Sequence, residues 1–366
     1  MTTHPPGAVL KQLWSTLDHD RDDENAAYIK SHLRIVVAGG DGTVTWVLGC
    51  ISDLGLSPAP AVAVLPLGTG NDLSIHLGWG KKFKETCVDQ KHIDDTFLKY
   101  RNAVVENMDF WNLTMTVPNA SFYGDLPNPI SRDVSNPSVT RARFWNYFSI
   151  GIDAEATYNF HHLREHSPCL ASSRYMNQMW YGVFSCGTGW FCGRGAPVDK
   201  FASIRVKNSS SDEWRDVDVP SSICAIILLN VQTYGGGRDI WGTKNKKNLA
   251  KKHFQPPSCN DGLIEVIGFK DGWHTAMVMG EVHSSSIHAK RLAQCNAIEL
   301  KIRTTGRNKK KQQVYMQLDG EPWKQRVPGC PGDDDEQGSF VTLSIKHGGT
   351  SATLSNRDNA TDHTVM

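Results

Sequence analysis

Two glycine-rich segments near the start of the chain contain the residue types that bind phosphate groups. The first is GGDGT at residues 39–43, and the second is PLGTGND at residues 66–72. Glycines allow the backbone to approach a ligand closely, and consecutive N–H groups at the start of a helix attract an anion. Each segment alone is also compatible with an ordinary tight turn, with Asp41 capping the first turn and Asn71 or Asp72 capping the second helix.

Asp41 is the carboxylate within GGDGT. A carboxylate repels a phosphate group, so its presence beside a phosphate site needs another explanation. Two roles fit this position: a ligand of Mg²⁺ and its water, or a base close to the transferred group. Asp41 is therefore both a candidate metal ligand and a candidate catalytic residue.

A second acidic motif, MQLDGEPW at residues 316–323, contains Asp319 and Glu321. Residues two apart on a strand point to the same face, so this spacing predicts that Asp319 and Glu321 converge on one site. Paired carboxylates hold Mg²⁺ or take a proton from a hydroxyl group. The alternative is an Asp-Gly turn between two strands, in which the pair has a structural role.

The elements around the two glycine-rich segments predict how these segments are positioned. Apolar runs at 33–38 and 61–65 predict strands, and helical periodicity predicts a helix over 43–54 and another that begins near Asn71. Strands that alternate with helices indicate a parallel α/β sheet. Both segments then follow the carboxyl end of a strand, which is the edge where open α/β sheets bind ligands. The two segments together are therefore more specific for a ligand site than either alone.

The pattern changes in the second part of the chain. Residues 118–142 are rich in Pro, Asn and Ser and predict a long loop. From residue 144 onward, short alternating segments predict a largely antiparallel β domain. Two helices are predicted within it, one over 155–165 and one within 277–295. The polar residues from 349 onward predict a disordered tail.

The composition excludes some classes of function. The 366 residues carry a formal net charge of +1, whereas dedicated nucleic-acid-binding proteins usually carry a strong basic excess. The nine cysteines contain no C-x-x-C pair, which favours reduced thiols over a disulfide framework or a zinc site. No apolar run reaches transmembrane length and no secretion signal is visible, so we expect a cytoplasmic protein. The basic segments 245–254 and 306–313 are candidate membrane contacts, with solvated surface as the more common role of such loops.

Taken together, the motifs resemble the diacylglycerol kinase family. VVAGGDGTVTWVLG and VAVLPLGTGNDLSIHLGWG are similar to its catalytic domain, and FWNYFSIGIDAEATYNFHHLRE, NVQTYGGGRDIWG, NDGLIEVIGF and YMQLDGEPWKQ are similar to its accessory domain. The motifs GWG, RDIWG and DGEPWKQ look most like the plant-type members, which lack cysteine-rich domains. The resemblance implies an α/β nucleotide-binding domain of the NAD kinase/diacylglycerol kinase type over 1–115, a mainly antiparallel β accessory domain over 140–348 and a disordered tail over 349–366.

The resemblance also implies a reaction. The γ-phosphoryl group of ATP, with Mg²⁺, would pass to the primary hydroxyl of 1,2-diacylglycerol, giving phosphatidic acid at a membrane surface that the protein contacts peripherally. By family analogy Asp319 is the candidate base and Glu321 supports it, while Asp41 serves the metal and phosphate region or is a rival base. Phosphoryl transfer depends mainly on positioning and on neutralising charge. The residues implied to bind the nucleotide phosphates are Gly39, Gly40, Gly42, Thr43, Gly68, Thr69, Gly70 and Asn71.

The chain departs from the family pattern before Gly39. Family members usually carry an earlier strand and a loop of the type N-P-x-S-G-G that supplies nucleotide contacts, and no such motif occurs in residues 1–38. We therefore expect a nucleotide domain without its N-terminal strand and loop. Two alternatives to an active diacylglycerol kinase follow: a weakly active or inactive homologue that binds lipid or nucleotide, and a kinase for sphingosine, ceramide or NAD.

Overall fold

A computed structural model describes residues 4–19, 23–83, 90–127, 130–166, 196–208, 213–242, 254–270, 289–304, 313–329 and 339–357. The chain divides into two compact units. The first comprises Met1–Asp109, Thr233–Gly237 and Gly349–Met366, and the second comprises Phe110–Gln232 and Arg238–Gly348. Neither unit is one continuous segment.

The first unit contains short parallel strands with helices. Its elements are α1 (Pro6–His19), α2 (Glu24–His32), β1 (Arg34–Gly39), α3 (Asp41–Leu54), β2 (Ala61–Pro66), α4 (Asp72–His76), α5 (Gln90–Asn102), the start of β3 (Val104–Thr116) and the end of β15 (Val341–Ser355). β1 and β2 pair in parallel, with Gly39 opposite Pro66. β2 also pairs in parallel with β15, where Thr353 lies opposite Val62. The predicted parallel α/β arrangement is confirmed.

The sequence of α3 explains both its buried face and its end. Val44, Leu48 and Ile51 recur at helical spacing and are buried, so this face packs towards the core of the unit. Gly55 ends the helix in the left-handed conformation with φ of 58°, and its N–H donates to the carbonyls at the end of the helix. The start of α3 follows β1 directly and is therefore held at the carboxyl end of that strand.

The last strand corrects the prediction of a disordered tail over residues 349–366. Residues 349–355 form the end of β15, and the indole N–H of Trp79 donates to the carbonyl of Leu354 at 2.7 Å. The ring of Trp79 packs against Tyr100, with ring centroids 4.5 Å apart. Polar composition misled the prediction because the ordering contacts come from residues distant in sequence. Residues 358–366 lie outside the described part of the chain.

The second unit consists mainly of two β-sheets. The elements it adds are β4 (Ser131–Arg132), β5 (Val139–Phe144), β6 (Tyr147–Gly151), α6 (Ile152–His166), β7 (Ala202–Lys207), β8 (Arg215–Asp216), β9 (Ala225–Leu229), β10 (Ile264–Phe269), β11 (Lys290–Cys295), β12 (Ala297–Ile302), β13 (Gln313–Leu318) and β14 (Glu321–Arg326). One sheet has the order β4-β5-β3-β15-β12-β7-β8, and the other has the order β11-β10-β9-β6-β13-β14. All neighbours in the second sheet pair antiparallel, which confirms the predicted antiparallel β domain.

Apolar side chains from the two sheets of the second unit form one core. Its largest fully buried members include Trp111, Phe144, Phe148 and Trp323. These residues come from β3, β5, β6 and β14, so the core fixes the strands that carry the acidic motif. Because aromatic side chains bury large apolar areas, they dominate the stability of such a core.

The structure describes parts of both helices that the sequence predicted in the second half of the chain. The helix predicted within 277–295 is wrong for its last part, because residues 290–295 form β11, which pairs antiparallel with β10. Most of the two basic segments, 245–254 and 306–313, lies outside the described residues. The helix predicted over 155–165 is present as α6. Among the described residues, no helix is both long and apolar enough to cross a bilayer.

Candidate functional site

The two glycine-rich loops of the first unit are in backbone contact. A Cβ atom placed on Gly68 would lie 2.4 Å from the Cα of Gly40, and 3.3 Å from its backbone nitrogen. The N–H of Leu67 donates to the carbonyl of Gly39 at 3.1 Å. Any side chain at Gly68 would prevent this approach, so the sequence needs glycine here for a steric reason. The loops therefore form one surface at the carboxyl ends of β1 and β2.

Asp41 connects one loop to the helix that follows the other. Its Oδ2 accepts the N–H of Asp72 at 2.9 Å, and its Oδ1 accepts the N–H of Leu73 at 3.0 Å. These N–H groups belong to the first turn of α4, whose N-cap residue Asn71 makes no side-chain cap bond. The alternative in which Asn71 or Asp72 caps this helix is therefore not the one observed. Asp41 supplies the cap from the neighbouring loop.

Asn71 has a buried side chain and a backbone in the left-handed region, with φ of 57°. Its amide Nδ2 donates to the carbonyl of Gly68 at 2.8 Å and to that of Lys81 at 2.9 Å. Its Oδ1 is buried and has no hydrogen-bond partner among the described residues. A buried acceptor left unpaired costs about 1–3 kcal/mol, so this atom marks a position where a ligand or a water donor is expected.

The remaining predicted phosphate-binding residues lie in the same pair of loops. A Cβ placed on Gly70 would lie 3.5 Å from Oδ2 of Asp41 and 3.6 Å from Oδ2 of Asp72. One oxygen of each carboxylate therefore lies close to the second loop at Gly70. The other predicted residues are Gly39 at the end of β1, Gly42 and Thr43 in the first turn of α3, and Thr69 beside Gly70.

Sequence reasoning missed the role of Asp72. This carboxylate is buried, and its Oδ1 accepts the N–H groups of Gly236 and Gly237 at 2.9 Å and 2.8 Å. The signal that could have revealed a special backbone was the run of three glycines at 235–237. Local spacing could not show that these glycines contact Asp72, because Asp72 and Gly236 are 164 residues apart.

Asp319 and Glu321 lie in the second unit, on the hairpin of β13 and β14. Leu318 pairs with Glu321, so Asp319 and Gly320 form a two-residue turn with φ of 49° and 89°. These left-handed angles are those of the tight hairpin turn for which Asp-Gly is typical. The prediction that Asp319 and Glu321 share a strand face is wrong, because Asp319 is a turn residue and only Glu321 belongs to a strand. The observed arrangement is an Asp-Gly turn between two strands.

The Asp319 carboxylate is held by three consecutive backbone N–H groups. Its Oδ2 accepts the N–H of Trp145 at 3.0 Å, and its Oδ1 accepts those of Asn146 and Tyr147, each at 2.9 Å. The N–H of Asp319 in turn donates to the carbonyl of Tyr147 at 2.9 Å. The turn is therefore fixed to the connection between β5 and β6, and the carboxylate has one defined orientation.

Burial controls the charge of Asp319. The residue is only 5% exposed, and burial raises the pKa of its carboxyl group to about 7. The three backbone N–H groups oppose this rise in pKa, and the negative charge of Glu321 adds to it. The carboxyl group therefore changes its protonation state near neutral pH, which distinguishes it from an ordinary surface aspartate.

Two asparagines near this turn were also missed from the sequence. Asn230 donates from Nδ2 to the carbonyl of Trp145 at 2.6 Å and accepts the indole N–H of Trp111 at 2.9 Å. Its N–H donates to the carbonyl of Asn146 at 3.0 Å. The connection that holds Asp319 is thus fixed from its other side as well. The motif FWNYF contains Asn146, but nothing in its spacing indicates the contact with Asn230.

A metal ion would have to be held with few protein ligands. Within the described ranges, no group of three or more His, Cys, Asp or Glu side chains is arranged to hold a metal. Mg²⁺ bound with a nucleotide usually takes only one or two protein carboxylates, with waters and phosphate oxygens completing its shell. The Asp41 carboxylate, which two backbone N–H groups orient beside Gly70, fits this smaller donor set.

Comparison with known proteins identifies the two parts of the chain. A family model described as the diacylglycerol kinase catalytic domain matches residues 12–96, and one described as the diacylglycerol kinase accessory domain matches residues 143–322. The first match falls on the α/β part of the chain and the second on its mainly β part. Each match covers residues that lie mainly in one of the two units.

Curated relatives make the assignment more specific. Diacylglycerol kinase 4 of Arabidopsis thaliana is 40% identical over 331 residues, covering 83% of this chain and 65% of the relative. Diacylglycerol kinase 5 of Arabidopsis thaliana is 33% identical, covering 96% of this chain and 70% of the relative. Diacylglycerol kinase 1 of Oryza sativa subsp. japonica is 32% identical, covering 95% and 71%. The chain belongs to the diacylglycerol kinase family, and it spans about two thirds of the length of these relatives.

Proposed function

We propose that the chain is an ATP-dependent kinase that phosphorylates 1,2-diacylglycerol to phosphatidic acid. The proposal rests on the backbone contact of Gly40 with Gly68, and on the hydrogen bond that the Asp41 carboxylate accepts from the N–H of Asp72. Such glycine loops at the carboxyl edge of parallel strands are suited to the phosphates of a nucleotide. The lipid acceptor is taken from the names of the relatives, which are diacylglycerol kinases.

The proposed chemistry assigns one role to each acidic group. Asp319, in its deprotonated form, accepts the proton of the primary hydroxyl while the hydroxyl oxygen bonds to the γ-phosphorus. The bond from that phosphorus to the bridging oxygen breaks, and the electron pair leaves with ADP. A base with a pKa near the working pH is favourable for this proton transfer. Glu321 supports Asp319 because its charge raises the pKa of that carboxyl group.

Asp41 is proposed to serve the phosphates. It would hold Mg²⁺ through its carboxylate, and the bound ion would neutralise charge on the transferred group. The chain's own contribution is the fixed geometry: two backbone N–H groups of α4 orient the Asp41 carboxylate. The loops carrying Gly39, Gly40, Gly68 and Gly70 would bind and orient the triphosphate.

We also propose a peripheral contact with the membrane on its cytoplasmic side. The support is chemical, because diacylglycerol stays within the bilayer and its hydroxyl lies at the interface with water. An enzyme that acts on this hydroxyl must meet it at the surface. The proposal needs no membrane-spanning helix.

The function is tested by transfer of radiolabel from ATP to lipids in mixed micelles. We expect phosphatidic acid as the product with diacylglycerol, and much less labelled product with ceramide or sphingosine at the same mole fraction. ATP binding without transfer to any acceptor would favour an inactive homologue. A preference for ceramide or sphingosine would instead identify a different lipid kinase.

The pKa of Asp319 predicts a pH dependence of activity. Because a base must be deprotonated, we expect kcat/KM for diacylglycerol to fall as pH decreases through about 7. The measurement is a pH–rate profile between about pH 5.5 and 8.5, within which an aspartate of unshifted pKa would not titrate. A profile with no acidic limb near neutrality would contradict the assignment of Asp319 as the base.

The same shift predicts an opposite trend for stability. The pKa of Asp319 is raised in the folded state, so between its ordinary pKa of 3.8 and about 7 the folded protein binds more protons than the unfolded chain. The contribution of this group to the free energy of unfolding therefore decreases as pH rises through that window. Urea unfolding of the wild type and of Asp319→Asn, compared at pH 5.5 and 8, should show this difference.

A further inference from the structure

The triple glycine at 235–237 is a motif that the proposed chemistry does not use. Residues Thr233–Gly237, which we call the glycine strap, belong to the first unit, although the residues on either side belong to the second. The φ angles of Gly235, Gly236 and Gly237 are 58°, 91° and 101°. Three successive left-handed residues are accessible essentially only to glycine. The strap therefore has a specific conformation that this sequence is suited to adopt.

Asp72 holds the strap at two places. Its Oδ1 accepts the consecutive N–H groups of Gly236 and Gly237 at 2.9 Å and 2.8 Å. Its carbonyl accepts the hydroxyl of Thr233 at 2.8 Å. These three hydrogen bonds are made at a residue that is only 3% exposed, so water does not compete for them.

Close packing adds to these hydrogen bonds. A Cβ placed on Gly237 would lie 3.0 Å from Cδ1 and 3.3 Å from Cγ2 of Ile75. Ile75 lies on α4, one turn after Asp72. The strap therefore lies directly against α4, in contact with both the first residue of this helix and its following turn.

Asp72 also belongs to the phosphate-loop assembly. Its backbone N–H donates to the carboxylate of Asp41 in the first loop. It directly follows Asn71, whose side-chain amide donates to the carbonyl of Gly68 in the second loop. Its carboxylate accepts the N–H groups of the glycine strap. Asp72 thus connects three glycine-rich segments. Displacement of Asp72 would release the end of the second loop.

We infer that Asp72 is a positioning residue for the nucleotide, which acts by holding the glycine strap against α4 and so fixes the loop from Gly68 to Asn71. The part of this inference that concerns the nucleotide rests on the proposed function. The part that concerns the strap rests only on the contacts within the first unit. Asp72 acts through the loop and is not assigned a bond to the reacting atoms.

The test compares Asp72→Ala with Asp72→Asn in the full chain. Alanine removes the acceptor of both glycine N–H groups, whereas the asparagine Oδ1 can still accept them. Hydrogen–deuterium exchange without ligand reports the strap, and KM for MgATP measured separately from kcat reports the loop. Gly55→Ala is the matched control, because Gly55 has φ of 58° in the same unit and nothing lies within 4 Å of its Cβ position.

We expect Asp72→Ala to speed amide exchange in residues 233–240 and 66–76, and to raise KM for MgATP by about tenfold or more with a smaller change in kcat. Asp72→Asn should restore most of both properties, and Gly55→Ala should leave KM for MgATP unchanged and should not speed exchange selectively in these two segments. Thr233→Val, which removes the hydroxyl donor and keeps Asp72, provides a milder variant should Asp72→Ala fail to fold. It should produce the same changes to a smaller extent.

Two results would overturn the inference. Unchanged exchange of the strap in Asp72→Ala would show that the carboxylate does not hold it. Faster exchange with an unchanged KM for MgATP would show that the strap does not position the nucleotide. A wild-type chain without kinase activity would count against the proposed function alone, since the exchange measurement needs no ligand and still decides whether Asp72 holds the strap.

Discussion

Replacing Asp319 with asparagine is expected to reduce phosphatidic acid formation by about 10²–10⁴-fold, the usual contribution of a general base. The variant keeps the shape of the side chain but cannot accept the hydroxyl proton near neutral pH. Asparagine also tolerates the left-handed conformation of the turn, where φ is 49°. The loss should therefore appear mainly in kcat and in kcat/KM for diacylglycerol, measured with radiolabelled ATP in mixed micelles.

The hydrogen bonds of Asp319 predict a simultaneous loss of stability. The carboxylate accepts three N–H groups, and an amide has only one oxygen, so an NH₂ group would face the N–H of Trp145 or of its neighbours. A buried donor left without an acceptor costs about 1–3 kcal/mol. Urea unfolding should show a loss of this size, while circular dichroism should show that the variant remains folded.

A surface aspartate of the same unit provides the control. Asp133 also accepts backbone N–H groups, those of Ser135 at 2.9 Å and Asn136 at 3.3 Å. Asp133→Asn should leave the rate of phosphoryl transfer unchanged. Full activity in a folded Asp319→Asn variant would show that the carboxylate has a structural role only. Asp41 would then be the remaining candidate for the base.

Local sequence patterns predicted β1, α3, β2 and the start of α4 because the information for these elements is contained in neighbouring residues. The apolar run before Gly39, the glycine turn and the buried stripe of α3 are all contiguous. Their order along the chain also places the two loops at one sheet edge, since parallel strands must run in the same direction. The contact of Gly40 with Gly68 follows from that edge and from the lack of side chains.

Contacts between distant residues could not be predicted in this way. The cap of α4 comes from Asp41, 31 residues earlier, and not from Asn71 or Asp72 beside it. The strap that Asp72 holds comes from 164 residues later. In both cases the neighbouring residues could have supplied the hydrogen-bond partner, and tertiary packing determined which groups form the hydrogen bond.

The acidic motif shows a different reason for failure. The spacing of Asp319 and Glu321 fits both a strand face and a two-residue turn, and the two alternatives differ only in where β13 ends. Pairing of Leu318 with Glu321 places that end one residue before Asp319. A shift of a single residue thus changes the orientation of the carboxylate, because side chains alternate along a strand. The raised pKa of Asp319 could not be inferred without its burial.

Replacing Gly68 with alanine is expected to disrupt the pair of phosphate loops. The new Cβ would lie 2.4 Å from the Cα of Gly40 and 2.7 Å from Oδ1 of Asn71. The Cα of Gly40 is backbone and cannot rotate away, so the two loops must separate. A displacement of about 1 Å in a positioning loop can cost about 10²-fold in rate, and we expect a loss of this order in kcat/KM for MgATP.

The variant Gly55→Ala is the control that separates the effect of Gly68→Ala on nucleotide binding from a general loss of stability. At Gly55 the left-handed backbone itself opposes alanine, at a cost of about 1–2 kcal/mol, while no atom lies within 4 Å of the added methyl group. This control should therefore lower the midpoint of urea unfolding and leave KM for MgATP unchanged. If Gly68→Ala also keeps the wild-type KM and kcat, the contact of the two loops is not required for nucleotide binding. The main support for the proposed kinase activity would then be lost, because that contact is what makes the two glycine-rich segments one site.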